Sequence, residues 1–170
     1  WSSSNNRWED KSGNNNHTSN TVGTINTGNW TGGSGASANF PYIYGNTDAG
    51  VRITNGWPNG SEYTFFHMTR YTGGSRSRIW QGLSGNWLSG HWSSRRAVFY
   101  HEGWLNSGSQ GTLDDWVQCT DSRQTVRYNR GTGSWSSGGS YSPNGVAINN
   151  AGSGGCCNSN ERSDWACAEI

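Results

Sequence analysis

Tyr63, Phe65, His67, Thr69 and Tyr71 alternate with Thr64, Phe66, Met68 and Arg70. This period of two predicts a β-strand with two differently populated faces, both at least partly buried. Further short strands are predicted at 39–44, 51–54, 77–81, 97–101, 116–120, 125–129, 146–149 and 164–170. Turn pairs such as Asn55-Gly56, Asn59-Gly60, Gly73-Gly74 and Asn144-Gly145 separate them. Helical periodicity is missing, and the strong helix formers are scarce, with one Met and one Lys. Many short strands with frequent turns predict an all-β, two-sheet antiparallel sandwich of the jelly-roll kind, with little or no helix.

Composition changes what the interior of such a sandwich must be made of. Hydrophobic residues are 30% and charged residues 14% of 170 residues, and mean hydropathy is -0.87. Gly, Ser, Asn and Thr make up about half of the chain. Such polarity would suit a disordered chain, but 11 Trp, 7 Tyr and 4 Phe are spread from end to end. The core must therefore be built from bulky rings, each burying roughly 150 to 250 Å². The Gly/Ser stretches at 32–37, 131–139 and 152–155 are short enough to be loops within one domain spanning 1–170.

Charge and sequence pattern exclude several partners. A formal net charge of +1, with scattered Arg and Asp/Glu, gives no electrostatic reason to expect nucleic acid. No apolar run approaches the roughly 18 to 20 residues of a membrane span, so membrane insertion is not expected.

Cys119, Cys156, Cys157 and Cys167 form an even set. Vicinal Cys156 and Cys157 rarely bond each other, so two disulfides to Cys119 and Cys167, in either pairing, are expected. No ligand spacing supports a metal site at His17, His67, His91 or His101. Asp10, Asp48, Asp114 and Asp121 are carboxylates of the kind that ligate calcium, but no D-x-[DN]-x-[DN]-G loop joins them. No other cofactor is indicated. Sequons at Asn16, Asn29 and Asn59 are compatible with N-glycosylation, and with the cysteines they favour a secreted, extracellular or cell-surface glycoprotein.

The ends of the chain carry a resemblance. Trp8-Glu9-Asp10-Lys11-Ser12-Gly13-Asn14-Asn15-Asn16-His17 is similar to the W-x-D-x-S-G-N-x-N-H opening of concanavalin A-like, laminin-G-like jelly-roll domains. Ser163-Asp164-Trp165-Ala166-Cys167-Ala168-Glu169-Ile170 is similar to their closing D-W-x-x-A-E-[IV] strand. The resemblance implies a two-sheet sandwich that serves as a module of a larger secreted or surface protein, often binding glycans or other proteins. Because the chain starts at Trp1, almost on the opening turn, and stops at Ile170 inside the closing strand, we expect a segment of a longer polypeptide.

Catalysis is disfavoured by the residue pattern. Retaining glucanases of this fold carry E-x-D-x-E or E-x-D-x-x-E on one strand, because their two carboxylates must lie about 5 to 5.5 Å apart. No such run occurs, and no catalytic residue is assigned. The least implausible alternative is a lyase using Tyr100, His101 and Arg95 or Arg96. The binding reading is stronger. Trp80, Trp87, Trp92 and Trp104 are interleaved with Gly, Asn86, His91, Arg95 and Arg96. Trp80 and Trp104 are expected in the core. Trp87 and Trp92, in a Gly/Ser/Asn loop, are expected at an exposed or interface position with Asn86, His91 and Arg95. There they would meet either neighbouring domains or subunits of an extracellular assembly, or glycans. The expectation is a non-enzymatic structural or adhesive module, with a lectin-like module as the alternative.

Overall fold

The computed structural model describes residues 1–18, 20–58, 62–107, 112–123, 125–129, 131–133, 141–149 and 161–169, and none of these is helical. The strands are β1 (Asn20–Val22), β2 (Asn26–Trp30), β3 (Phe40–Gly45), β4 (Gly50–Ile53), β5 (Thr64–Arg76), β6 (Trp80–Gly82) and β7 (Trp87–Trp92). They continue with β8 (Arg95–His101), β9 (Trp104–Asn106), β10 (Val117–Ser122), β11 (Val126–Tyr128), β12 (Gly131–Gly133), β13 (Val146–Ile148) and β14 (Ser163–Glu169). They form two antiparallel sheets packed as a sandwich. The first runs β1-β4-β13-β6-β7-β8-β9 and the second β12-β11-β10-β5-β14-β3-β2.

The predicted strands all appear, shifted by a few residues. Segment 82–92 departs from expectation: its second half, expected in a loop, is β7, near the middle of the first sheet. Its hairpin partner β8 follows after Ser93 and Ser94, both at positive φ (48° and 58°). Such a pair makes the primed turn that fits the right-handed twist of strands, though Asn-Gly is its usual sequence signature.

The interior is aromatic. Trp80, Trp87, Trp165, Tyr71 and Phe99 are fully buried, with Ile79, Leu88 and Ile148 among the few large aliphatics beside them. A buried indole N–H is stabilised by an acceptor; those of Trp80 and Trp116 find none among the described residues, but three other indoles do. Trp165 donates to the Ala49 carbonyl at 3.0 Å, Trp57 to the Pro143 carbonyl at 2.8 Å, and Trp87 to the Tyr63 hydroxyl at 2.9 Å. These bonds fix ring orientation as well as burial.

A polar seam crosses the core. From β5, the His67 ring reaches the Thr69 hydroxyl (3.1 Å) and, across the sandwich, the Ser89 hydroxyl of β7 (3.0 Å). Thr69 also lies 3.3 Å from Nδ1 of His91. Burial holds His67 down to about 3 and His91 well below the ordinary imidazole range, so both are neutral at physiological pH. Gly90, between Ser89 and His91, adopts φ 91°, and a Cβ there would lie 2.7 Å from the His67 ring and 3.3 Å from Cys119 Sγ.

Two outcomes follow from this seam. Gly90→Ala combines an unfavourable backbone conformation with overpacking, and it lowers unfolding free energy by about 2–4 kcal/mol in urea titration. The histidines also set a pH dependence. In the unfolded chain each takes up a proton as pH falls below about 6.5, whereas folded His67 does not until about 3. Stability is thus complete above that range and falls through pH 6 to 4, by up to about 1.4 kcal/mol per pH unit per histidine. His67→Gln, which keeps hydrogen-bonding capacity but does not titrate, flattens the slope; an unchanged slope would contradict this assignment.

Candidate functional site

The residues expected to form one exposed patch are split between inside and outside. Trp87 and His91 are fully buried, because β7 alternates Trp87, Ser89 and His91 toward the other sheet. The expected exposed position of Trp87 is therefore corrected: its ring stacks on His101 at 5.4 Å with planes 14° apart. Trp80 is buried as expected, but Trp104, expected in the core, is 44% exposed on the edge strand β9. Trp92 is half-buried and lies 5.3 Å from Trp104, which also meets Tyr100 edge-on at 4.8 Å. The Trp92 indole donates to Glu161 at 2.9 Å, and Glu161 pairs with the buried Arg78 at 2.7 Å. Arg78 donates to the half-buried Asn86 at 2.8 Å, while Arg95 is exposed.

Tyr100 and His101 occupy opposite faces of β8, so the lyase constellation is not assembled. His101 instead belongs to an internal chain of hydrogen bonds. The Trp87 N–H donates to Tyr63, the Tyr63 hydroxyl to Asp121 (3.3 Å), and His101 Nε2 lies 3.2 Å from the same carboxylate. His101 Nδ1 faces the Arg123 carbonyl at 3.1 Å. Both ring nitrogens thus face oxygen atoms, one on each side of the ring. Burial, with the Asp121 charge, pushes the Tyr63 hydroxyl far up. All four side chains are buried, so the chain ties the two sheets together.

The opening motif builds a compact loop at one end of the sandwich. Asp10 accepts from the Ser12 N–H and hydroxyl (both 2.8 Å) and from the Asn16 N–H (2.9 Å). These bonds, backbone donors first, hold its carboxyl down at about 2. The Asp10 N–H donates to His17 Nδ1 at 2.9 Å, closing the loop. Trp8 stacks on Trp80 at 6.4 Å. The other aspartates are elsewhere: Asp48 in the turn after β3, Asp114 against Arg76 at 2.8 Å, and Asp121 in the core.

Of the cysteines, Cys119 is a buried thiol carrying no bridge, which removes it from the expected pairing. It is enclosed by Ala97, Phe99, Leu105, Val117 and Val126, and burial pushes its thiol up. Cys167 is buried on β14. Cys156 and Cys157 lie outside the described residues, as does the sequon residue Asn59. No disulfide joins described residues. Asn16 and Asn29 are exposed, the latter on the edge strand β2.

A second aromatic cluster, which the sequence reading did not single out, lies on the outer face of the second sheet. On β3, Ile43 points into the core, so Phe40, Tyr42 and Tyr44 point out. Trp30 of β2 is opposite Phe40 and shares their face. Gly28 is opposite Tyr42, and a Cβ there would lie 2.5 Å from the Tyr42 ring; its absence lets the ring lie across β2. Trp116, just before β10, reaches over the intervening strands β5 and β14 to within 5.7, 5.2 and 5.6 Å of Trp30, Phe40 and Tyr42. Trp116 is covered, Trp30, Phe40 and Tyr42 are half-buried, and Tyr44 is 36% exposed, 5.7 Å from Tyr42. Arg70 of β5 places its guanidinium 4.8 Å above Trp30 and 5.8 Å from Trp116. At the Tyr44 end the face opens into a polar cleft of about 530 Å³, bordered by Asn26, Asp48, Thr72 and Asp164. The available signal was the 40/42/44 alternation, three aromatic rings on one face against a single Ile on the other.

Comparison with known proteins adds no relative: no family model, no curated protein and no solved structure matches the chain. The internal hydrogen-bond chain gives a direct test of architecture. Asp121→Ala leaves His101 and Tyr63 without their shared acceptor and costs about 3–5 kcal/mol of stability by chemical denaturation. A loss below about 1 kcal/mol would show that the pair does not hold the sheets together.

Proposed function

We propose that this chain is a non-enzymatic, extracellular adhesive module that binds carbohydrate on the outer face of its second sheet. The observation that carries this reading is the partly uncovered row of Trp30, Phe40, Tyr42 and Tyr44. The solvent face of an antiparallel sheet is ordinarily polar, so a run of rings there costs solvation without serving the core. A pyranose offers an apolar C–H face that stacks on such rings, while its hydroxyls require hydrogen-bond partners at the margin. The Tyr42 and Tyr44 hydroxyls and the polar cleft beyond Tyr44 supply them. The proposal includes membership of the concanavalin A-like class, supported by the tight loop formed by the opening motif and by the closing strand β14, central in its sheet between β5 and β3.

A second reading, assembly with another polypeptide, is favoured by Trp104, exposed on edge strand β9 beside Trp92 and Tyr100. Aromatic residues next to an uncovered edge suit a protein contact.

Affinity electrophoresis through gels containing a panel of soluble polysaccharides separates the two. On the carbohydrate reading at least one polysaccharide retards the protein. Tyr44→Ala and Tyr42→Ala then each weaken binding about tenfold, the equivalent of about 1.4 kcal/mol, with the unfolding midpoint little changed. Absence of retardation by every polysaccharide, together with self-association in sedimentation that Trp104→Ala abolishes, would replace this reading with assembly.

A further inference from the structure

We infer that the glycan taken by the outer face is an acidic polysaccharide, bearing uronate carboxylates or sulfate esters, and that Arg70 is the residue that selects it. The inference rests on the carbohydrate reading and assigns the charge of the ligand.

Several arginines of the fold are already neutralised by carboxylates. Arg76 faces Asp114 at 2.8 Å, Arg78 faces Glu161 at 2.7 Å, and Arg96 faces Asp115 at 3.2 Å. Arg70 is different. Its Nε donates to the Tyr71 carbonyl at 3.0 Å, and its guanidinium lies over Trp30 and beside Trp116. Among the described residues no carboxylate pairs with it, and its two terminal nitrogens make no hydrogen bond. The residue is half-buried, and the two ring contacts hold its guanidinium against the aromatic cluster. With Nε engaged by the Tyr71 carbonyl, the fork keeps one free edge, its two terminal NH2 groups, and that edge matches the paired oxygens of a carboxylate or sulfate, which such forks bind in bidentate fashion. Lys would present a point charge with no fixed plane.

A second cation extends the complementarity. Arg127 of β11 is exposed and opposite Thr120 of β10, which is in turn opposite Phe66 of β5. Arg127 therefore shares the outer face with Arg70, on the order of 16 Å from it by strand and inter-strand spacings. Two cations on one face, with a stacking row between them and the β2 edge, fit a polymer with repeated negative groups better than a single anionic sugar. Asp48 and Asp164, in the cleft beyond Tyr44, repel an anion, so the charged groups are held on the Arg70 side and the Tyr44 cleft meets hydroxyls.

The test uses paired polymers that differ in charge on the same backbone: polygalacturonate against its methyl ester for carboxylate, and dextran sulfate against dextran for sulfate. The wild-type protein binds at least one acidic member more tightly than its neutral counterpart, and the preference shrinks as salt is raised. Arg70→Gln reduces that affinity about tenfold while leaving binding to the neutral counterpart unchanged, Arg70→Lys restores only part of it, and Arg127→Gln lessens the salt dependence. The carboxylate and sulfate arms tell which anion is read. Equal binding of acidic and neutral members, or an Arg70→Gln variant with wild-type preference, overturns the inference. If Tyr44→Ala still weakens binding in that case, the carbohydrate reading stands without it. Tighter binding of a single-stranded oligonucleotide than of any polysaccharide overturns both, as does failure of every polymer to bind.

Discussion

The gap between two facing sheets, about 10 Å, has to be filled, and this chain has few Leu, Ile and Val to fill it. Rings do so instead. An indole fills more space than any aliphatic side chain, but it brings an N–H that calls for an acceptor inside. Trp165, Trp57 and Trp87 solve this by bonding to Ala49, Pro143 and Tyr63, each from a different stretch of chain. The aromatic core is consequently tied by directional bonds as well as by packing. The hydrogen bonds from Tyr63 through Asp121 to His101 extend the same principle, with polar side chains bridging sheets where apolar ones would otherwise slide.

The same residue type serves two purposes on the two sides of the second sheet. Tyr71 and Trp165 face inward and hold the layers together. Tyr42 and Tyr44 face outward and gather Trp30, Phe40 and Trp116 over the surface. Pleating alone makes the distinction, since adjacent residues on a strand point to opposite sides. Arg70 adds a charge to the outward set without disturbing the inward one, because its neighbours Thr69 and Tyr71 carry the core contacts.

Much of the fold was legible. The alternation at 63–71 marked the long central strand β5, and turn pairs such as Asn55-Gly56 and Asn144-Gly145 marked strand limits. The misses have physical causes. β7 contains Ser89 and Gly90, residues of low strand propensity, and its position between two neighbours overrides that preference. The polarity of its neighbours suggests the surface for Trp87, although its spacing of two from Ser89 and of four from His91 places all three on one face. The site was legible only in its material, not in its place. Aromatic residues in a polar setting announced a binding surface, but gathering Trp30, Arg70 and Trp116 needs strands far apart in sequence to become neighbours, and no local spacing encodes that.

The positions of the last two strands bear on how the chain reaches this state. β13 separates β4 from β6, and β14 separates β3 from β5. Until residues 146–169 have left the ribosome, each layer is two fragments with a missing middle and four raw borders. Hairpins such as β7–β8 can form early, yet neither layer can zip shut, and closure waits for contacts spanning more than about ninety residues in one layer and more than about a hundred in the other. The tryptophans of the earlier strands thus lack a completed layer to cover them until β13 and β14 arrive, so burial of the aromatic core depends on the two strands made last among those described.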